Sequence, residues 1–292
     1  MSEHRTYRVA VTGSNGQLGK ELAVIAEDHP LFRFTFLSRE DFPLDDPGKM
    51  KYWLNHNPVD VFIHGAAYTA VDLAESEKEK AFLINAAASG QIASHLSTIQ
   101  AKLIYISTDY VFDGSSSIPL TEQGPTNPIN WYGATKLEGE RLVLQNNPES
   151  LVIRTSWLYS AYGNNFVKTM MRLMKERSSV KVVRDQIGSP TYAADLAEAV
   201  LQILESDFFV SGIFHYSNEG EISWYDFAIE IKRLTGSSCE VLPIPSTGFP
   251  TAAKRPEYSL LEKSKIKRVY GLSIPDWKTS LALCMQKIKQ GV

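Results

Sequence analysis

A run of three evenly spaced glycines between a short apolar stretch and an amphipathic one restricts this fold more than anything else in the chain. Tyr7-Arg8-Val9-Ala10-Val11-Thr12 places Val at alternate positions and reads as a buried strand. Gly13-Ser14-Asn15-Gly16-Gln17-Leu18-Gly19 follows directly, and Lys20-Glu21-Leu22-Ala23-Val24-Ile25-Ala26-Glu27 then reads as helix. A strand that turns through glycines into a helix lets the backbone approach a pyrophosphate. It also aims free N–H groups and the positive end of the helix dipole at the phosphates. The spacing is G-x-x-G-x-x-G rather than G-x-G-x-x-G, so a plain strand-to-helix turn is the competing reading.

The chain then alternates. Phe34-Thr35-Phe36-Leu37 reads as a second strand ending at Ser38-Arg39-Glu40-Asp41. In dinucleotide folds an acid at this point favours NAD, and an arginine accommodates the 2′-phosphate of NADP. Arg39 therefore suggests NADP(H), with Glu40 and Asp41 beside it. Val59-Asp60-Val61-Phe62-Ile63-His64 reads as a third strand, running into the small residues Gly65 to Ala70 that leave room for a ligand. One long helix is expected from Glu75 to Gln100, with Phe82, Ala86, Ala93 and Leu96 on its apolar face. His64 and His95 have no metal-ligand partner at suitable spacing and read as structural.

Lys102-Leu103-Ile104-Tyr105-Ile106 is the next strand, delivering Ser107 to Phe112 at its end, where a Ser or Thr hydroxyl could bond a carbonyl oxygen. A loop from Asp113 to Pro128 leads into a helix that carries Tyr132 and Lys136 on one face. The spacing predicts that the ammonium favours phenolate and lowers the tyrosine pKa. A solvated Lys beside a half-buried Tyr would look the same in sequence.

Leu151 to Arg154 is the following strand, and the βαβ alternation argues for a Rossmann-type doubly wound parallel sheet. After Thr155 the pattern loosens. Helices are expected at Asn165–Lys175, Ala193–Glu205, Ser223–Leu234 (Ser223 capping, with Asp226 completing the box) and Asp276–Lys289. Ile213-Phe214-His215-Tyr216 is strand-like, and a proline-rich stretch runs from Pro243 to Pro256. The expected division is a nucleotide-binding domain at 5–155, with 190–217 returning to it, and a substrate-binding lobe made mainly of 156–292.

Composition removes several function classes. With 292 residues and 43% hydrophobic side chains, the chain can bury one large core or two lobes. The net charge of -3 comes without a basic stripe, so nucleic acid is not an expected partner. No apolar run reaches the roughly 18–20 residues of a membrane span, and Met1 to Arg8 lacks the apolar centre of a signal peptide. Cys239 and Cys284 are too few for a disulfide framework or a cysteine metal site. A cytoplasmic protein is the expectation.

The glycine loop, Thr108 at a strand end and the Tyr132/Lys136 pair together resemble the extended short-chain dehydrogenase/reductase superfamily. Ala66 to Glu75, Ser107 to Gly114, Tyr132 to Glu140, Arg154 to Tyr159, Gly163 to Phe166, Asp185 to Thr191 and Arg255-Pro256 resemble, in order and spacing, the dTDP-4-dehydrorhamnose reductase family. That resemblance implies hydride transfer from NADPH, or from NADH, to the 4-keto group of a dTDP-4-keto-6-deoxyhexose. It implies catalytic roles for Thr108, Tyr132 and Lys136. Its cofactor residues map to Gly13, Asn15, Gly16, Gln17, Leu18, Gly19, Arg39, Asp45, Ala66, Ala67 and Tyr68, with Tyr132 and Lys136 touching both ligands. Its substrate contacts map to Thr69, Asp109, Val111, Phe112, Trp157, Asn164 and Arg255. Some members of the family are Mg2+-bridged dimers that use an acid near the C-terminus. Lys287 to Val292 holds no acid, so no such bridge is expected, and a monomer or another homodimer stays open. A non-catalytic regulatory subunit resembling the methionine adenosyltransferase β subunit, and a sugar-nucleotide 4-epimerase, are the alternative readings.

Overall fold

The computed structural model describes residues 6–291. Met1–Arg5, part of the segment read above as lacking a signal peptide, and Val292 of the tail lie outside the described residues. The first half runs β1 (Tyr7–Thr12), α1 (Gln17–Ile25), β2 (Phe32–Leu37), α2 (Pro47–His56), β3 (Val61–His64), α3 (Val71–Ala74), α4 (Lys78–Phe82), α5 (Ala88–Thr98), β4 (Lys102–Thr108), α6 (Trp131–Asn146) and β5 (Leu151–Thr155). The second half runs β6 (Leu158–Tyr159), α7 (Phe166–Glu176), β7 (Ser179–Val183), β8 (Ile187–Gly188), β9 (Thr191–Tyr192), α8 (Ala193–Glu205), β10 (Gly212–His215), β11 (Ile222–Ser223), α9 (Trp224–Thr235), β12 (Glu240–Ile244), α10 (Ser264–Tyr270) and α11 (Trp277–Lys289).

Six strands form one parallel sheet in the order β2-β1-β3-β4-β5-β10. Strand order reverses between β1 and β3, and ligands of doubly wound sheets bind outside the strand ends at such a point. Alternate side chains feed the two faces. Val9, Val11, Ile63, Ile104 and Ile153 pack under Leu22, Leu196, Val200 and Ile266. Ala10, Phe62, Leu103, Tyr105 and Val152 pack under Met50, Leu54, Ile92, Leu96 and Val143. A third core, including Tyr159, Val167, Met174, Phe227, Ile231, Trp277 and Leu281, gathers α7, α9 and α11 over the parallel β7/β12 pair.

Several expectations shift. The helix expected from Glu75 to Gln100 is broken: α3 ends at Ala74, and a π turn at Leu83–Ala87 separates α4 from α5. A π turn adds a residue to the helical phase. Ala86, Ala93 and Leu96 are buried, whereas Phe82, ahead of that turn, is 41% exposed rather than on the apolar face. The β7/β12 pair and α10 escape sequence reading. Pro243 sits inside β12, and α10 has only seven residues, too short for a periodic signal. The capping box of α9 forms with Asp226 in the role usual for Glu. Among the described residues no helix is long and apolar enough to cross a membrane.

Candidate active site

A channel of about 580 Å³ opens at the carboxyl ends of β1 and β3, a size that suits a small-molecule ligand. Its floor is the glycine loop. Gly13 takes a φ of +80°. A Cβ on Gly19 would come within 2.3 Å of the Gly13 carbonyl oxygen, so α1 can start this close to the loop only through glycine. Gly16 sits at the N-cap of α1 with no side-chain cap, which leaves the first-turn N–H groups for a ligand. Gly13, Asn15, Gly16, Gln17, Leu18 and Gly19 line the channel together with Ala66, Ala67, Tyr68, Thr69 and Asn164, with Ala66 packed against Gly13. A wall this close to bare backbone fits the diphosphate of a dinucleotide.

Farther along the channel stand Ser38, Arg39, Asp45 and Lys80. Arg39 Nη2 donates to Asp45 Oδ2 at 2.6 Å and holds that carboxyl below its usual range. Lys80 arrives from α4, bonds Glu77 at 2.8 Å and lies 5.6 Å from the Tyr68 ring centroid. Two cations therefore frame this end of the channel.

Beyond the channel wall, which none of the three lines, β4 and α6 place Thr108 within hydrogen-bond reach of Tyr132, with Lys136 one turn farther along α6. Thr108 Oγ1 donates to Asp109 Oδ1 at 3.1 Å and accepts the Tyr110 N–H at 3.2 Å. Asn130 caps α6 by accepting the Gly133 N–H at 2.8 Å, and this sets the first turn that carries Tyr132. The Tyr132 ring packs edge-on against Tyr110, 5.7 Å between centroids. Its pKa runs against the sequence expectation. Burial pushes the phenol up to about 12, Thr108 offsets part of that, and the charge of Asp109 adds to it. Lys136 does not lower it, because the ammonium is turned inward. Nζ donates to Tyr105 Oη at 2.7 Å and to the Ile106 carbonyl at 2.8 Å. Burial brings Lys136 down to about 7, against the opposing pull of Glu140. Asp109 is buried and pushed up to about 6 by desolvation.

The remaining sequence candidates divide. Arg255 is not a free surface charge. Its Nη1 and Nη2 grip Asp72 of α3 at 2.6 and 2.7 Å and hold that carboxyl down at about 2. Trp157 stacks on Trp224 with 3.7 Å between centroids and adopts a φ of +47°. An aromatic residue held there carries backbone strain that its surroundings must sustain. Val111 and Phe112 lie buried with Leu261 and, like Thr108, Tyr132 and Lys136, are not on the channel wall. Ser107 is likewise withdrawn, donating to Glu140 Oε1 at 2.5 Å. Among the described residues no three His, Cys, Asp or Glu side chains gather as a metal site would require.

A family model described as RmlD substrate binding domain matches residues 7–290. A dTDP-4-dehydrorhamnose reductase of Sinorhizobium fredii is 40% identical over 94% of this chain and 95% of its own. The chain belongs to the dTDP-4-dehydrorhamnose reductase family. Among solved structures of that family, the Clostridium acetobutylicum protein superposes with a TM-score of 0.93 at 39% identity, covering 97% of this chain and 99% of the other. The Bacillus anthracis protein, solved in complex with NADP, gives 0.92 at 38% identity with the same coverage.

Set inside this family, the residues that sequence reasoning missed become visible. Lys80 sits in a helix that looks like a charged surface. Tyr105 reads as an ordinary core residue of β4. Asn85, in the π turn, accepts the Tyr68 N–H at 2.7 Å and donates to Thr135 Oγ1 at 3.0 Å, so it ties the channel wall to α6. Trp224 is found only through its stack on Trp157. None carries a local signal: Tyr105, Asn85 and Trp224 act through partners distant in the chain, and Lys80 reaches the channel only because the fold brings α4 beside Arg39 and Asp45.

Proposed function

We propose that this chain reduces the 4-keto group of dTDP-4-dehydro-L-rhamnose with NADPH to give dTDP-L-rhamnose, the last step of dTDP-rhamnose synthesis. The observations that carry the reading are the buried Thr108–Tyr132 pair, with Thr108 two residues beyond Ile106 of the channel wall, and the bare-backbone diphosphate cradle at the channel floor. Family membership supplies the substrate class. The glycine loop Gly13–Gly19 with Ala66, Ala67 and Tyr68 would hold the nicotinamide cofactor, which when bound would supply the hydride for C4 of the sugar. Hydride addition builds negative charge on O4, and the Tyr132 phenol, kept protonated by its buried surroundings, donates a proton there. Thr108 places a hydroxyl on the same oxygen. Lys136, whose ammonium is held by Tyr105 and the Ile106 carbonyl, is assigned to the nicotinamide ribose, and solvent restores the proton to Tyr132.

The preference for NADPH is supported by Arg39 and Lys80 framing the adenosine end. Arg255 and Trp157 are assigned to the sugar nucleotide, with the Asp72 ion pair fixing where the Arg255 guanidinium stands. The division into a cofactor part (5–155 with 190–217) and a substrate lobe (mainly 156–292) is supported by β10 lying in the main sheet while α7, α9 and α11 share a separate core. A cytoplasmic location and a monomer or homodimer without a Mg2+ bridge belong to the same reading.

The test is loss of NADPH absorbance on adding dTDP-4-keto-6-deoxyglucose, with and without a 3,5-epimerase. Oxidation that requires the epimerase is expected. Oxidation without it would move the substrate to the unepimerised keto-sugar. NADPH binding with no oxidation in either case would favour the regulatory-subunit reading, and tightly held NAD recycled without net consumption would favour the 4-epimerase.

A further inference from the structure

Lys136 is an unusually lonely buried cation. It is 2% exposed, and both hydrogen bonds of its ammonium go to neutral oxygens, Tyr105 Oη at 2.7 Å and the Ile106 carbonyl at 2.8 Å. The Tyr105 ring also lies beneath it, 4.0 Å from Nζ to the centroid. Glu140, one turn along α6, is occupied by Arg154 at 2.7 and 2.9 Å and by Ser107. A buried cation held by neutral acceptors depends heavily on each of them.

The direction of the Tyr105 hydroxyl is also fixed. Tyr105 is fully buried and donates its one proton to the Asn85 carbonyl at 3.1 Å. That carbonyl lies in the π turn and also accepts Ser89 Oγ at 2.9 Å. With its proton engaged there, the Tyr105 oxygen faces Lys136 as an acceptor. Gly139 makes the junction possible, since a Cβ there would stand 2.3 Å from the Asn85 carbonyl oxygen and 2.4 Å from Tyr105 Oη. Behind the ring, His64 joins Thr12 Oγ1 at 2.8 Å and Ser89 Oγ at 3.1 Å. Burial drives His64 down to about 3, so it is neutral and adds no repelling charge.

We infer that Tyr105 is the positioning residue for Lys136: its oxygen, oriented by the Asn85 carbonyl, holds the buried ammonium charged and leaves one of its three N–H groups for the ligand at the reacting end. This rests on the reductase reading for its kinetic consequence. The other titratable groups around Lys136 are Tyr132 and Glu140 on α6 and His64 on β3. None of them is paired with its ammonium among the described residues.

Tyr105→Phe in the full chain tests it, because the ring stays and only the oxygen goes. An ammonium that loses one of two acceptors gives up its proton more easily. The alkaline limb of the kcat profile should therefore move to lower pH by about one unit, with kcat at pH 8 down about tenfold and the keto-sugar KM within twofold. An unshifted limb overturns the inference, including the case in which kcat falls equally at every pH. If the phenylalanine variant does not fold, 3-fluorotyrosine introduced at position 105 weakens the acceptor in place and should move the limb in the same direction by less. Failure of the parent protein to oxidise NADPH would sink the reductase reading instead. The inference would then be read from the pH dependence of NADPH binding, which should break at lower pH in the variant and overturns the inference if it does not.

Discussion

At the glycine loop a ligand in the channel would meet backbone N–H groups at the mouth of α1; around Tyr132, beyond the channel wall, stand buried side chains whose charges are set by what lies behind them. The first end is stiff and local. Gly13 and Gly19 touch each other across six residues of sequence, and the geometry follows from the loop itself. The second end is assembled from β3, the π turn, β4 and α6, and its groups stand well away from their ordinary pKa values. Binding can be built from backbone alone, whereas proton transfer needs side chains whose solvation has been altered.

The largest expected effect breaks the reacting end and spares the other. Tyr132→Phe should lower kcat by roughly 10²–10⁴-fold and leave NADPH affinity within twofold. Turnover near the parent rate would remove Tyr132 from the proton-donor role.

Lys136→Met should come next, with kcat down on the order of 100-fold and, unusually, a higher melting temperature near neutral pH. The sign follows from the depressed pKa. Folding lowers Lys136 from 10.5 to about 7, so the unfolded chain binds the proton more tightly. This residue's penalty is absent above the unfolded pKa, grows as pH falls, and is complete below about 7. Thermal denaturation at pH 6 and pH 10 reads it, and a variant less stable than the parent at pH 6 would contradict it.

Gly19→Ala attacks the glycine end instead. The 2.3 Å approach to Gly13 O forces α1 to shift, which should cost about 1–3 kcal/mol of stability and weaken NADPH binding about tenfold. At saturating cofactor the pH profile of kcat should be unchanged, which would separate the two ends in one experiment.

The smallest effect is expected at Asp72, which touches neither end directly. Asp72→Asn should raise the keto-sugar KM a few fold by freeing Arg255, with kcat nearly constant. Asp72 is held at about 2, so its pairing is present above the ordinary carboxylate pKa and is lost only as pH falls through about 2. The KM of the parent should therefore show no break from this pair between pH 5 and 8, and a break there would mean that Arg255 is not held as described.

Sequence alone was enough for β1, the glycine loop and α1, because strand, turn and helix are adjacent and the glycines are required locally. It was enough for the parallel alternation through β5 and for the presence of Tyr132 and Lys136 on one helix, since period and spacing carry that information. It did not determine where Lys136 points, and it suggested the wrong direction for the Tyr132 pKa. Nearness in sequence counts a cation as a neighbour, while the direction of that cation depends on Tyr105 and, through it, on the Asn85 carbonyl, which only the fold brings into place. The Arg255–Asp72 pair, the Trp157–Trp224 stack and the inward turn of Ser107 have the same origin. Each joins residues from separate elements, so tertiary structure decided them: helical period and loop composition record what a segment does by itself, and the charge state of a buried group records what surrounds it.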